Sequence, residues 1–128
     1  MIRRTRSSSP FEASIGFSRA VRVGDRILVS GTAPVEPDGS STPGDAAAQT
    51  HRVFAIILAA IEELGGKETD VVRTRMFIAD PADATAIGAV HGEIFGEIRP
   101  ASTMVIARLL RSEWRVEVEA EAIVASRA

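Results

Sequence analysis

The chain has 128 residues, 45% of them hydrophobic and 25% charged, with a formal net charge of -2. That length suits one domain with a real core, the composition excludes disordered and fibrous classes, and the slightly acidic balance offers no electrostatic case for nucleic acid. Cysteine is absent, which excludes disulfides, thiolate nucleophiles and cysteine-ligated zinc.

In chain order, the opening MIRRTRSSSP carries arginines and serines with no apolar run behind them. It lacks the pattern of a secretory signal and reads as a flexible, solvated arm over residues 1–10. No stretch of about 18 apolar residues is available to span a membrane, so no membrane partner is expected and a cytoplasmic location is. Residues 17–23 alternate Phe17, Arg19, Val21 and Val23 against Ser18, Ala20 and Arg22, turn at Gly24-Asp25 and resume as RILVS, which predicts a hairpin with a two-residue loop. The run APVEPDGSSTPGD is a loop by composition. Beyond it, Val53, Ile56, Ile57, Ala60, Ile61 and Leu64 recur at spacings of three and four, the signature of one helix face, and Gly65-Gly66 supplies the stop. His51 begins that helix and is expected at its surface. DVVRTRMFIAD sets Val72, Thr74, Met76 and Ile78 against Val71, Arg73, Arg75 and Phe77, a third strand. Asp80 caps a second helix with Pro81 at its first position. Its stripe is Ile87, Val90, Ile94, Phe95 and Ile98, and Arg99-Pro100 ends it. Strands over 103–109 and 115–123 close the chain.

The order ββαβαββ predicts an α+β fold, a mixed sheet with both helices on one face and right-handed crossovers. The other face mixes valine and alanine with charges, which predicts burial against copies of the same chain.

Four blocks, IGFSRAVRVGDRILVSGTAPV, GDAAAQTHRVFAIILAAIEELGG, DVVRTRMFIAD and RPASTMVIARLL followed by VEVEAEA, arrive in order at fitting spacing. Together they resemble the RidA/YjgF family, also called endoribonuclease L-PSP, as a single domain over residues 11–125. The resemblance implies a chorismate-mutase-like fold and a homotrimer, with three sheets forming a central barrel and a small-molecule cleft at each subunit interface. In the best-characterised branch those clefts hydrolyse enamines and imines such as 2-aminoacrylate to 2-keto acids and ammonia.

Where that branch has Pro-Ala-Arg, its arginine holding the substrate carboxylate, this chain has Pro100-Ala101-Ser102. A bidentate arginine–carboxylate contact contributes roughly 3 to 5 kcal/mol, or about two to four decades of affinity. A serine hydroxyl donates one neutral hydrogen bond and does not replace it. The chain thus resembles an arginine-lacking branch, expected to turn over 2-aminoacrylate poorly. Phe17 matches an aromatic wall residue without its hydroxyl, Ser30-Gly31 matches a serine–glycine pair at the end of the second strand, and Glu117 matches the glutamate associated with the catalytic water. The resemblance therefore nominates Glu117 as base and Phe17, Ser30, Gly31, Ser102 and Thr103 as ligand-binding. Arg19, His91 and Glu119 are further candidates, and Arg19, Arg99 or Arg108 would be a relocated guanidinium.

Each has a plainer reading. Glu117, Glu119 and Glu121 lie two apart on one strand face, where carboxylates are usually solvated. His91 sits four residues from both Ile87 and Phe95, as a core histidine does. Ser102 can cap the corner and Thr103 can pair in the strand. Two histidines so far apart, at 51 and 91, make no metal site, no glycine-rich phosphate loop is present, and no cofactor is expected. Three functions stay open: a hydrolase or deaminase of a small enamine-like or acyl compound, a non-catalytic metabolite-binding trimer, and a ribonuclease. The last is opposed by a single tryptophan, no tyrosine and no basic stripe.

Overall fold

The computed structural model describes residues 1–125. Its elements run β1 (Ile2–Thr5), α1 (Phe11–Ile15), β2 (Ala20–Val23), β3 (Arg26–Thr32), α2 (Ala46–Glu63), β4 (Val71–Ile78), α3 (Ala84–Phe95), β5 (Ala101–Ile106) and β6 (Val116–Ile123). The strands make one mixed sheet in the order β1-β2-β3-β6-β4-β5. β4 and β5 pair in parallel around α3, and the other neighbours are antiparallel.

Two expectations are corrected. Residues 2–5 are not a loose arm but an edge strand, paired from Ile2 with Val23 to Thr5 with Ala20. Its sequence IRRT carries no apolar alternation because only Thr5 is buried, bonded to the Glu63 carboxylate, while Arg3 and Arg4 lie in solvent as edge-strand charges do. The next-to-last strand spans Ala101–Ile106 rather than 103–109, and it ends where the Ala107 N–H bonds Ile78 O at 2.9 Å.

The helices form where the spacing placed them. Asp45 caps α2, its carboxylate accepting from the Ala48 N–H at 2.9 Å, and Gly65 takes the left-handed conformation (φ +89°) that ends it. Val53, Phe54, Ile57, Ala60 and Ile61 of α2 pack on the sheet through Ala20, Ile27, Val29, Val116, Val118 and Ala120. α3 lies beside α2, with Phe54 and Phe95 edge-to-face at 5.4 Å. Asp80 accepts from the Ala82 N–H at 2.8 Å, and the turn it caps is a short 3₁₀ helix (Pro81–Asp83) leading into α3.

In β4 the expected alternation holds from Thr74 onward and fails before it. A register shift between Val71 and Arg73 buries Val71 (2% exposed) and turns Val72 out (41%). One extra residue in a ladder exchanges the faces of everything on one side of it. The face without helices carries Val21, Leu28, Phe77, Val105 and the three β6 glutamates. No helix among the described residues is long and apolar enough to cross a membrane.

Candidate functional site

A cleft of about 440 Å³ opens where the end of β3, the start of β6 and the segment around α1 meet. Phe11, Ile15 and Phe17 form one wall, Ser30 and Gly31 another, Glu117 and Glu119 the floor, and Leu110 and Trp114 the rim. The floor depends on a bulge. The β3–β6 ladder pairs Val29 with Ala120 and then Thr32 with Val118, so Ser30 and Gly31 together face Glu119. The carboxylate of Glu117 lies against Gly31, in the space that a side chain at position 31 would fill. Ser30 is committed, its hydroxyl donating to Ser18 O at 2.7 Å and so fixing the loop before β2.

The three glutamates predicted to share a strand face do share it, and their partners on the neighbouring strand separate them. Arg73 stands opposite Glu121, Arg75 opposite Glu119, and Phe77 opposite Glu117. Accordingly Glu121 reaches Arg73 at 3.7 Å and Arg26 at 3.8 Å, and Glu119 reaches Arg75 at 3.3 Å. Glu117 has no hydrogen bond or ion pair among the described residues. Burial pushes its pKa above the ordinary carboxylate value, with Arg19 pulling it down and Glu119 adding to the rise. A half-buried, unpaired carboxylate of raised pKa, beside an apolar wall, accepts a proton more readily than a solvated one.

Arg19 also borders the cleft, and its charge is largely balanced by Glu12, though it still acts on Glu117. Its guanidinium pairs with the Glu12 carboxylate at 3.3 Å and donates to Gly31 O at 2.6 Å, Thr32 Oγ1 at 2.9 Å and Ser7 Oγ at 3.2 Å. With Arg19 only 3% exposed and Glu12 only 6%, the pair is a buried tie between the α1 segment and β3. It also places the guanidinium 5.3 Å from the Phe17 ring centre.

The remaining candidates fall elsewhere. Ser102 is on the opposite side of the sheet from Glu117: its hydroxyl accepts from Thr74 Oγ1 at 2.8 Å, and Thr74 is also 2.8 Å from His91 Nε2, within the helix layer. An arginine at position 102 would therefore point away from the cleft of its own chain. Thr103 shares the Glu117 face but lies opposite Arg75 on the outermost strand, outside the cleft lining. His91 packs against Phe95 (4.8 Å between ring centres) and Phe54 (5.7 Å), and desolvation lowers its pKa, as expected of a neutral histidine in the core. Arg99 ends the α3 segment at φ 56°, and Arg108 borders a separate depression. Phe17, Ser30, Gly31, Arg19, Glu117 and Glu119 thus meet in one cleft, whereas Ser102, Thr103 and His91 do not join them.

Sequence reasoning missed Phe11, Trp114 and Glu12. Phe11 and Trp114 meet at right angles with ring centres 6.3 Å apart, and Arg111 lies over both. The signal available was the aromatic pair Phe11 and Phe17 bracketing FEASIGF, a stretch too short and too mixed to show a period.

Gly31 allows the cleft geometry to be tested apart from the fold. Its φ is not positive, so alanine suits the backbone, and the added methyl collides only with the mobile end of Glu117. Gly31→Ala is expected to melt within a few degrees of the parent, about 1 kcal/mol at most. By swinging Glu117 toward solvent it should bring that carboxyl's pKa down toward its ordinary value, read by NMR titration of the side-chain carbon.

The comparisons with known proteins place this architecture. The family model described as Endoribonuclease L-PSP matches residues 7–124. An uncharacterized protein of Streptomyces coelicolor is 39% identical over 122 residues, covering 94% of this chain and 91% of that protein. The 2-iminobutanoate/2-iminopropanoate deaminase of Escherichia coli K12 is 32% identical over 115 residues, covering 87% of this chain and 90% of that enzyme. A crystal structure of a YjgF-family member from Mycobacterium tuberculosis superposes with a TM-score of 0.87 at 38% identity, over 97% of this chain and all (100%) of that one. The fold is thus the chorismate-mutase-like α+β fold of these proteins. The chain belongs to the RidA/YjgF, or endoribonuclease L-PSP, family.

Proposed function

We propose that this protein is a deaminase-type hydrolase of small imines or enamines other than 2-aminoacrylate, working as a homotrimer whose subunit interfaces complete the cleft. The observation that carries the reading is Glu117: of three carboxylates in a row, it alone lacks an arginine opposite, and it faces an apolar cleft. In the reaction, water adds to the carbon of R₂C=NH₂⁺ while Glu117 takes its proton, giving a neutral carbinolamine. Glu117 returns that proton to the nitrogen, ammonia leaves with the C–N electron pair as the hydroxyl oxygen forms the carbonyl, and the hydroxyl proton passes through Glu117 to the ammonia. The balance is R₂C=NH₂⁺ + H₂O → R₂C=O + NH₄⁺. The apolar wall at Phe17 and Phe11 limits water around the reacting carbon, so the proton held by Glu117 passes to the bound intermediate. A substrate with a carboxylate on the reacting carbon meets Glu117 with Arg19 largely balanced by Glu12, and the repulsion is only weakly offset.

The test is ammonia and carbonyl release from a panel of imines made in place by amino acid and amine oxidases. Expected is acceleration over the buffer rate for imines without a carboxylate on the reacting carbon and a near-background rate for 2-aminoacrylate. No acceleration for any imine would favour a non-catalytic metabolite-binding trimer. Light scattering at micromolar concentration should give three times the chain mass; a stable monomer would remove the interfacial cleft from the proposal.

A further inference from the structure

Beside the cleft, and sharing Trp114 with it, lies a second depression of about 360 Å³ bordered by Arg108, Leu109, Arg111 and Ser112. We propose that it is an anion subsite, in which Arg108 and Arg111 hold a phosphate or carboxylate that the substrate carries at a distance from the carbon attacked next to Glu117. The catalytic half of this statement rests on the hydrolase reading above; the binding half does not.

Four observations support it. Among the described residues, neither Arg108 nor Arg111 has an ion-pair partner. Arg108 makes no hydrogen bond either, and Arg111 only reaches Gly39 O at 3.3 Å. The nearest carboxylate along the chain, Glu113, accepts from the Ser41 hydroxyl at 2.8 Å and feels the Arg111 charge without closing an ion pair with it. By contrast Arg19, which lines the cleft, is paired with Glu12, and along the same sheet face Arg75 is paired with Glu119, and Arg73 and Arg26 with Glu121.

Arg111 is also held in place before any ligand arrives. Its guanidinium carbon lies 5.5 Å from the Phe11 ring centre and 5.3 Å from that of Trp114, so two aromatic rings fix the plane of the fork. Trp114 is itself anchored, its indole N–H donating to Ser41 Oγ at 3.0 Å and its backbone N–H closing a turn onto Arg111 O at 3.2 Å. A planar guanidinium held over aromatic rings loses little entropy on binding an oxyanion, and Arg108, bordering the same depression, adds a second positive charge. The position explains the absent clamp at the proline corner. Positive charge is available, but past Trp114, so it fits a substrate with a spacer between its anionic group and its C=N bond and not an α-imino acid.

Trp114 is the only tryptophan in the chain, so its fluorescence reports the subsite directly. Inorganic phosphate and glutarate are titrated separately into the assembled protein at constant ionic strength, with sodium chloride as control. The expected result is a saturable change with at least one of the two, its midpoint raised at least about tenfold in Arg108→Gln, which alters an exposed side chain, and in Arg111→Gln. The anion that saturates tells phosphate from carboxylate. A change that matches chloride, fails to saturate, or persists in both variants would overturn the subsite. Saturable binding by a protein that hydrolyses no imine would retain the subsite and reject the hydrolase. Imine hydrolysis without saturable anion binding would do the reverse.

Discussion

Glu117→Gln is expected to lower imine hydrolysis by about 10²- to 10⁴-fold, the usual worth of a positioned general base, with KM nearly unchanged because the cleft walls remain. The amide matches the carboxylate in size and cannot take the proton. The parent's rate should fall with acid through a midpoint above the ordinary glutamate value, since burial raises the Glu117 pKa, and that limb should vanish in the variant. Stability should move oppositely. A carboxyl whose folded pKa lies above its unfolded value favours the fold in its protonated form, so its contribution is full below the unfolded value and is lost as pH rises through the folded one. At neutral pH the charged Glu117 therefore costs stability, and Glu117→Gln should melt above the parent there but not in acid. A variant that keeps most of the parent's rate would remove Glu117 from the chemistry.

The second large effect is on the fold. Glu12→Ala leaves the Arg19 guanidinium, 3% exposed, with no counter-charge, and breaking a buried pair from one side costs about 3 to 5 kcal/mol. The Ser7 N–H loses its acceptor as well. Urea unfolding at fixed chain concentration should show the loss, and pairing Glu12→Leu with Arg19→Met should recover much of it, because that removes both charges and not one. If Glu12→Ala unfolds like the parent, the pair is not what ties the α1 segment to β3.

How much of this was legible follows from where each signal lies. α2 and α3 are readable because their apolar spacing, the Asp45 and Asp80 caps and Gly65 all agree, and local agreement of that kind survives tertiary context. β1 is not, because an edge strand with one buried residue carries no period. The two ladder irregularities, at Val71–Arg73 and at Ser30–Gly31, are also invisible along the chain, since a bulge exists only relative to a partner strand. That is why Val72 was expected on the wrong face. Ser102 lies on the helix side of its own sheet, which the sequence alone does not show: resemblance assigns a position along the chain, whereas the side of the sheet depends on parity. The Glu12–Arg19 tie has no periodic trace at all, because it joins two residues whose meeting depends on the tertiary path of the chain.

The pairing of Arg73, Arg75 and Phe77 with Glu121, Glu119 and Glu117 has a wider meaning. Two rungs of this ladder are charge-matched and the third is not, so the proposed base stands at an interruption in a repeating pattern. A chain that completed the pattern with arginine at position 77 would keep its strands, its helices and its kinship while holding no free base. On the proposed reading, the residue at position 77 then decides whether the carboxylate at 117 stays free, without itself supplying any chemistry.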